Sequence, residues 1–535
     1  MKMKKKLLAI MVFLSLFLQA VLLPVWTYAD QNACAVYESV GKESGIIYTM
    51  DQEENVLGIS DFAVDGKRGY LLSNVSNKIL VYEDNKRVEE IDLERYASTA
   101  IRFAVDGNRI WIYDNCARIF LLENLEKTAE LSIYDFADSE AIEDFKVIDG
   151  DLYITIATFT EKGEVTYRIS LSGHNLSCTE TIPGRLVQKE YVQDLKETEN
   201  ILHSVTKETA EKDGYQLEML QGCSDLGEGR DHCHYYLSCE ILDDKTSEYY
   251  VQRVYCFTED NHLKEVYNLP IPVSARSERV RMIDGRIYIL STEENRVVLD
   301  ELERYGSREL SECLLKINWS RSNPEESGLS GDPNEAESEL LSASTSLSRS
   351  TAISIIDSYC TPFTWSCSAA NLLPLANWIC PSYVTGAGTY NCMPYCWGGF
   401  CDAASFASQI QSGYRVGNKN GPSFGYYSGY VNYTAGIDCS GLVSRALMLS
   451  DHCYTGNMAG IMTSIHWNNL KQGDIILNPG THVMMYYYTL TPVSNGYFRI
   501  FESTIANNLD RCVKRVRNIY DLSGYSPYTY PGYTD

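Results

Sequence analysis

The chain has 535 residues, and its 46 basic and 71 acidic side chains give a formal net charge of −25. This length exceeds what one hydrophobic core usually serves, so we expect two or three domains. Residues 30–350 carry 33 basic and 62 acidic side chains, whereas residues 351–535 carry nine of each. The acidic front half argues against nucleic acid as a partner and against attraction to anionic wall polymers, and it favours a solvated surface.

Residues 1–29 have the pattern of a secretory signal. Four lysines among the first six residues precede an apolar run that begins at Leu7 and ends near the small residue Ala29. This pattern predicts cleavage before Asp30 and a secreted protein without membrane contact after cleavage. The alternative is an uncleaved anchor, because the run is long enough to span a bilayer.

A strand–turn–strand pattern repeats through residues 30–320. Asp-Gly pairs at 65, 106, 149 and 284 each separate two runs of β-branched and aromatic residues, with spacings of 41, 43 and 135, the last being three times 45. Asp-Gly is a typical hairpin turn, and short strands at this period are typical of propeller blades. The pattern predicts an all-β propeller of about six blades, or seven, with two irregular middle blades. The alternative fold is a β-sandwich or a set of stacked β-domains. A fifth pair, Asp213-Gly214, does not fit the spacing of the other four.

Residues 321–352 form a predicted linker between the propeller and a second domain at 353–535. The stretch is rich in Ser, Glu, Gly and Pro, which is typical of flexible, solvated chain. We expect it to let one half move relative to the other. In the second domain, residues 369–380 and 402–412 are predicted as helices.

The cysteines are divided between the halves. Eight lie from Cys34 to Cys313 and nine from Cys360 to Cys512, so removing Cys439 leaves eight in each half. In an exported chain even counts indicate disulfides, and we expect eight bridges with none crossing the linker. The segment His232-Cys-His234 with Cys239 has metal-ligating residue types, but disulfide formation is favoured there, so no metal is expected.

Cys439 lies where a loop is predicted to become a helix. Gly436 and Asp438 precede it, and apolar residues then recur at helical spacing from Leu442 to Leu449. A thiol at a helix N-terminus feels the positive end of the helix dipole, which favours the nucleophilic thiolate. The alternative is a buried structural cysteine or one half of a disulfide.

Four motifs, one of which contains this cysteine, follow one another along the chain. The chain reads Pro-Tyr-Cys-Trp-Gly-Gly at 394–399, Asp-Cys-Ser-Gly at 438–441, a turn at Gly473-Asp474 with a strand after it, and His482-Val483 opening the next strand. Another strand is predicted at 497–504. In this order the motifs resemble the NlpC/P60 family of cell-wall cysteine peptidases, over residues 385–530. The resemblance implies an α+β, papain-like fold for residues 353–535.

The resemblance also implies roles for individual residues. Cys439 would be the nucleophile and His482 its proton carrier. The backbone N–H of Cys439 and the side chain of Tyr395 would stabilise the oxyanion, with Asp438 and Ser440 beside them in the oxyanion and substrate region. His452 and His466 are the alternatives to His482.

A third residue should orient the histidine. The family commonly supplies His, Asn or Gln from the strand after the histidine, and the matching position here is Glu502. This is a departure from the usual choice. Asn507 is the alternative, and Glu502 could instead pair with Arg511 or Arg499.

The implied activity is hydrolysis of peptide bonds in peptidoglycan stem peptides through a Cys thioester, by a bacterial protein that is secreted and associated with the cell wall. The alternatives are an N-acetylmuramoyl-L-alanine amidase, a thioester-based acyltransferase, and an extracellular binding protein with an inactive peptidase-like domain. No cofactor is expected. The propeller is expected to bind an unknown ligand, since this fold offers a face or a channel but no chemistry by default.

Overall fold

Antiparallel strand pairing dominates the chain. The structure is a computed structural model that describes residues 34–41, 44–50, 56–97, 99–159, 163–274, 279–317, 347–360, 363–420, 430–488, 497–522 and 524–535. The predicted signal at 1–29 and most of the predicted linker lie outside these residues. Within them, no helix has the length and apolar character needed to cross a membrane.

The described part of the front half consists of strands, two α-helices and short 3-10 turns. The strands are β1 (Val36–Ser39), β2 (Thr49–Met50), β3 (Val56–Leu57), β4 (Ile59–Asp65), β5 (Arg68–Ser73), β6 (Lys78–Glu83), β7 (Lys86–Asp92), β8 (Ala100–Asp106), β9 (Arg109–Asp114), β10 (Arg118–Glu123), β11 (Glu126–Ser132), β12 (Ile142–Ile148), β13 (Asp151–Thr158), β14 (Gly163–Ser172), β15 (Asn175–Pro183), β16 (Leu186–Gln188), β17 (Tyr191–Val192), β18 (Gln216–Glu228), β19 (His234–Asp243), β20 (Glu248–Phe257), β21 (Leu263–Leu269), β22 (Val280–Ile283), β23 (Arg286–Thr292), β24 (Arg296–Glu301) and β25 (Leu315–Lys316). The helices are α1 (Leu195–Lys212) and α2 (Leu302–Tyr305).

Five sheets form the blades of a propeller. Four of them are β4–β7, β8–β11, β12–β15 and β18–β21, each paired in chain order, and β25 adds to β20 of the fourth. The fifth combines β22–β24 with β1, whose Val36 pairs with Leu299. The first described strand therefore closes the ring by completing the last blade. Neighbouring blades share apolar clusters, such as the one that joins Phe62, Leu71 and Leu299.

The Asp-Gly hairpins are confirmed. Ile148 pairs with Asp151, so Asp149 and Gly150 form the two-residue turn, and their φ angles of 51° and 85° are those a type I′ turn requires. In the first blade Asp65 pairs with Arg68, so the loop is instead Gly66-Lys67, with φ of 58° at the glycine. The glycine is needed in both arrangements because each requires a positive φ.

The predicted number of six or seven blades is wrong. The 135 residues between the last two Asp-Gly turns hold only one complete further blade. Its strands are long, with 13 residues in β18 and ten each in β19 and β20, so this blade uses more of the chain than the earlier ones. The hairpin β16–β17 and the 18-residue helix α1 fill the rest. Asp213 is the C-cap of α1 and Gly214 follows with φ of 87°, so this pair ends a helix and forms no hairpin turn.

The C-terminal half combines helices with a six-stranded sheet. Its elements are α3 (Arg349–Asp357), β26 (Thr364–Cys367), β27 (Gly388–Asn391), α4 (Ala403–Gln411), β28 (Arg415–Val416), β29 (Thr434–Ala435), α5 (Cys439–Ala446), α6 (Thr455–Met458), β30 (Thr463–Ser464), β31 (Ile475–Asn478), β32 (His482–Tyr488), β33 (Tyr497–Thr504), β34 (Arg511–Asn518) and β35 (Ser526–Thr529). The sheet has the order β30-β35-β31-β32-β33-β34, and α5 packs on β32 and β33.

The two helix predictions before α5 have different outcomes. Helix α4 matches the predicted 402–412 helix and begins after Asp402, whose side chain accepts a hydrogen bond from the Ser405 N–H. The predicted 369–380 helix is wrong, because only a 3-10 turn at Ala369–Leu372 forms there. Leu373 is extended with ψ of 145°, as expected for a residue before proline, and the helix cannot continue through it.

The expected disulfides are absent. All seventeen cysteines lie within the described ranges and all are free, fourteen of them buried. The prediction of eight bridges is therefore wrong in this structure. A free cysteine behaves as a small apolar residue and is among the most buried residue types, so its abundance here reflects packing in the cores. Cys239, for example, lies in a cluster with Ile241 and Tyr250.

The two halves pack together in this structure, and the expected movement of one relative to the other stays a prediction. Phe159 of the β13–β14 turn stacks on Tyr487 of β32, with 5.1 Å between ring centroids. The same apolar cluster contains Ala157 and the helix residues of α5. On the neighbouring blade Tyr250 contacts Tyr520 edge to face. Buried apolar surface holds the halves in one arrangement.

Buried ion pairs cross the same interface. Arg499 of β33 pairs with Glu143 of β12, and both side chains are fully buried. Arg499 also lies 3.7 Å from Glu164. Arg185 of the propeller lies 2.7 Å from Glu143 and 3.0 Å from Glu164. Burial raises the pKa of the Glu143 carboxyl to about 8, whereas Arg185 and Arg499 hold the pKa of Glu164 below its usual range. Two guanidinium groups thus face two carboxyl groups in a buried region, and removing one of the four leaves a buried polar group without its partner.

We expect Arg499→Met to lower the free energy of unfolding by about 3–5 kcal/mol, because it leaves the buried Glu143 and Glu164 with one guanidinium group. Guanidinium chloride denaturation of the parent and the variant measures this difference. The matched control is Arg168→Met, whose pair with Asp151 is partly exposed and should contribute less than about 1 kcal/mol. Equal losses in the two variants would contradict a stabilising role of the interface charges.

Candidate functional site

Helix α5 begins at Cys439, as the sequence predicts. Asp438 is its N-cap, and its side-chain Oδ1 accepts a hydrogen bond of 2.6 Å from the N–H of Gly441. Cys439 therefore occupies the first helical position, where the backbone N–H groups and the helix dipole favour negative charge. Its exposed fraction is 8%. The position suits a thiolate, and its role as nucleophile stays a prediction.

Three glycines allow the motif segments to meet. A Cβ at Gly436 would lie 2.4 Å from the carbonyl oxygen of Pro394, and one at Gly441 would lie 2.3 Å from that of Gly399. A Cβ at Gly399 would lie 2.6 Å from the carbonyl oxygen of Gly436. Any larger residue at these positions would push the two segments apart. The close approach therefore explains the glycines on either side of the candidate nucleophile.

Asp438 and Ser440 belong to a hydrogen-bonded cluster with His452. The Ser440 hydroxyl donates to Asp438 Oδ1 at 2.9 Å, and His452 Nε2 lies 2.9 Å from that hydroxyl and 3.1 Å from the same carboxylate oxygen. Phe400 stacks on the imidazole ring at 5.3 Å. Because one ring nitrogen makes both contacts, the three side chains do not form a serine–histidine–aspartate relay. Their contacts support the helix cap, and the predicted oxyanion or substrate role of Asp438 and Ser440 stays a prediction.

His482 and Glu502 are brought together. His482 Nε2 lies 2.8 Å from Glu502 Oε2, and the two side chains are 1% and 0% exposed. Their strands β32 and β33 pair with Met485 opposite Phe501, which places the two side chains diagonally on one face of the sheet. A carboxylate on Nε2 fixes the tautomer of the imidazole, with the proton on Nε2.

Two arginines of β34 hold Glu502. Arg517 Nη2 lies 3.2 Å from Oε2, and Arg515 Nη1 lies 3.2 Å from Oε1. Burial alone would raise the pKa of the Glu502 carboxyl, but these guanidinium groups and the contact with His482 hold this pKa well below its usual range. Glu502 therefore carries its negative charge throughout the physiological pH range. Arg511 and Arg499 pair elsewhere, with Glu140 and Glu143 of the propeller.

Helix α5 and Cys439 pack against the strands that carry this pair. Cys439 shares an apolar cluster with Val483 and Phe501, the immediate chain neighbours of His482 and Glu502. In addition, the Ser503 hydroxyl donates at 2.8 Å to the carbonyl oxygen of Ile437, two residues before Cys439. The fold thus joins the N-terminus of α5 to the two strands that carry the histidine and the glutamate.

The other predicted site residues, Tyr395, Asn507 and His466, lie in three different parts of the structure. Tyr395 is buried on the segment that pairs with Ile437, so it flanks the loop before Cys439. Asn507 lies at the propeller interface, where its Oδ1 accepts a hydrogen bond of 3.4 Å from Asn74. His466 caps a 3-10 turn through Nδ1, which accepts from the Asn468 N–H. Of the proposed orienting residues, Glu502 is the one that contacts His482 in this structure.

Arg515 and Arg517 were not predicted from the sequence as residues of this site. Both lie on β34, two residues apart, so they face the same side of the sheet as Glu502 in the adjacent strand. The alternation Arg-Val-Arg at 515–517, in the strand that follows the one containing Glu502, is the signal that could have indicated a buried ion pair.

The propeller has a cavity of its own, with a volume of about 790 Å³. The first strands of all five blades line it, and the Asp-Gly turns carry Asp65, Asp106, Asp149 and Asp284 at its rim. These turns lie at the opposite ends of the strands from Asn74 and the other turn residues that contact the C-terminal half. The ligand of the propeller stays a prediction.

Comparison with known proteins adds little beyond the fold. No family model and no curated protein matches the chain. Among solved structures, the WD40 β-propeller domain of Doa1 is 11% identical, with 52% of this chain and 97% of that chain covered and a TM-score of 0.25. Streptogramin B lyase is 13% identical, with 52% and 100% covered and a TM-score of 0.26. Virginiamycin B lyase from Staphylococcus aureus is 11% identical, with 50% and 99% covered and a TM-score of 0.27. Matches this weak carry no argument about function, and the propeller architecture of the front half follows from the strand pairing of the chain itself.

Proposed function

We propose that the protein is a secreted cell-wall hydrolase of the NlpC/P60 type, with a papain-like C-terminal domain that cleaves peptide bonds in peptidoglycan stem peptides. The observation that carries this proposal is the buried pair of His482 and Glu502, 2.8 Å apart, on the strands against which the Cys439 helix packs. The order of the four motifs around Cys439 supports the family assignment. The secretory pattern of residues 1–29 supports a substrate outside the cell.

The proposed chemistry is acyl transfer through a thioester. The Cys439 thiolate attacks the amide carbonyl, and the backbone N–H of Cys439 with the Tyr395 side chain stabilises the oxyanion. His482 holds the proton and delivers it to the leaving amine, after which it removes a proton from the water that hydrolyses the thioester. Glu502 keeps the imidazole in the required tautomer and stabilises the imidazolium, as the third residue of such a site does.

We expect incubation of the chain with purified peptidoglycan to release fragments cut within the stem peptide, because the thioester is then formed at a peptide carbonyl. Mass spectrometry of the products measures this directly. The control is the Cys439→Ala variant at equal concentration, which should release none.

The same experiment separates the alternatives. Intact stem peptides cleaved from the sugar would identify an amidase. Products carrying a new amide to an added amine would identify an acyltransferase, because an amine can resolve the thioester in place of water. Wall binding without any product would contradict the proposal and leave an extracellular binding protein.

A further inference from the structure

A second cluster of nucleophilic and acidic side chains lies in the fourth blade, on the turn between β18 and β19. The turn is closed by hydrogen bonds from the Gly229 N–H to Cys233 O at 2.8 Å and from the His232 N–H to Gly229 O at 3.1 Å. Cys256 of β20 lies alongside, since Tyr235 pairs with it in the sheet. One carboxylate oxygen of Asp231 and the Sγ atoms of Cys233 and Cys256 all lie within 4.8 Å of one another.

We propose that Asp231, Cys233 and Cys256 bind a single soft divalent cation of the Zn²⁺ class. Thiolate and carboxylate are the donors that Zn²⁺ accepts, and ligand atoms at tetrahedral corners around it stand about 3.5–3.8 Å apart, given Zn–S and Zn–O bonds of about 2.3 and 2.1 Å. The three atoms therefore need to approach by at most about 1 Å. A water molecule would complete the coordination. The bound ion would clamp the turn to β20.

The ammonium group of Lys264 occupies the position between the proposed ligands. Its Nζ lies 3.0 Å from Asp231 Oδ2 and 3.2 Å from Cys233 Sγ, between two of the proposed ligands. The side chain is 44% exposed, so the ammonium group can move into solvent when a metal ion enters. The ammonium group and the metal ion thus compete for one position.

The carboxylate is held in place by groups around it. The Tyr235 hydroxyl donates to Asp231 Oδ2 at 3.2 Å, and the Cys233 N–H donates to Oδ1 at 3.2 Å. Such contacts orient a metal ligand before the ion arrives. This cluster differs from the one suggested by the sequence, because His234 contacts Asp225 at 2.7 Å and Cys239 lies in an apolar cluster with residues of the C-terminal half.

The test is titration of the metal-free full-length chain, reduced and kept under nitrogen, with Zn²⁺ against a chromophoric chelator. We expect one ion per chain, and we expect Cys233→Ser and Cys256→Ser each to weaken binding by more than about 100-fold, beyond the effect of losing an outer partner. Thiolate-to-metal charge-transfer absorption of the Co²⁺ form should disappear in the same variants. Cys178→Ser, a half-buried thiol on β15, is the matched control and should bind Zn²⁺ as the parent does.

Lys264→Met separates a built site from chance binding. It removes the competing ammonium charge and should tighten Zn²⁺ binding on the order of tenfold. A disulfide between Cys233 and Cys256 in the isolated chain, or unchanged Zn²⁺ affinity in both serine variants, would overturn the proposal. If a serine variant fails to fold, Asp231→Asn and Lys264→Met decide, because both change exposed side chains and should shift the affinity in opposite directions.

Discussion

Replacing Cys439 with alanine is expected to lower the rate of peptidoglycan hydrolysis by about 10⁴-fold or more, since loss of a nucleophile removes the covalent route entirely. The fold should be retained, because only one sulfur atom leaves the buried cluster around the helix N-terminus. Product release from purified wall, measured beside a thermal unfolding curve of the same preparation, gives both quantities.

The matched control is Cys453→Ala. Cys453 is 9% exposed, close to the 8% of Cys439, and packs in the same apolar cluster. It should keep the activity of the parent. Parent activity in a folded Cys439→Ala variant would contradict the proposal.

Glu502→Ala is expected to lower the rate by about 10- to 1000-fold, because the imidazole of His482 then loses the group that fixes its tautomer and supports its charge. Glu502→Gln should keep part of the activity, since the amide oxygen still accepts the hydrogen bond. Both variants leave the buried Arg517 without its carboxylate, so unfolding should become easier by about 3–5 kcal/mol. Rates and denaturant unfolding curves measure the two effects separately.

The control for this prediction is Asn507→Ala, which removes a contact with the propeller and should leave the rate nearly unchanged. Parent activity in a folded Glu502→Ala variant, combined with loss of activity in Asn507→Ala, would transfer the orienting role to Asn507. Parent activity in both would leave Cys439 and His482 as a pair without a third residue.

The stabilising effect of Glu502 should also depend on pH. Its pKa is lowered in the folded state, so its ionised form stabilises the fold fully above the unfolded pKa of about 4.3, and this contribution is lost as the pH falls through the lower folded value. The difference in unfolding free energy between the parent and Glu502→Gln, measured by denaturant unfolding, should thus be larger at neutral pH than in acid, where it shrinks as the pH falls through the lower folded pKa.

Local chemistry in the sequence determined several features of this protein. Asp-Gly pairs determined the hairpins of the blades, because a tight turn needs residues that tolerate a positive φ. Asp438 before an apolar helical pattern determined that a helix begins at Cys439. The strands that begin with His482 and contain Glu502 were also visible, since their turn residues and apolar runs are contiguous in the chain. Each of these features depends on residues within one or two turns of each other.

Contacts between distant residues were decided only by the tertiary structure. The number of blades followed from the length of the fourth blade and from the pairing of Val36 with Leu299, which no local period reveals. The firm packing of the two halves depends on pairs such as Glu143 with Arg499. Buried charges of this kind are stable only where a partner from elsewhere in the chain replaces water, so a single sequence shows the charges but cannot show which of them meet.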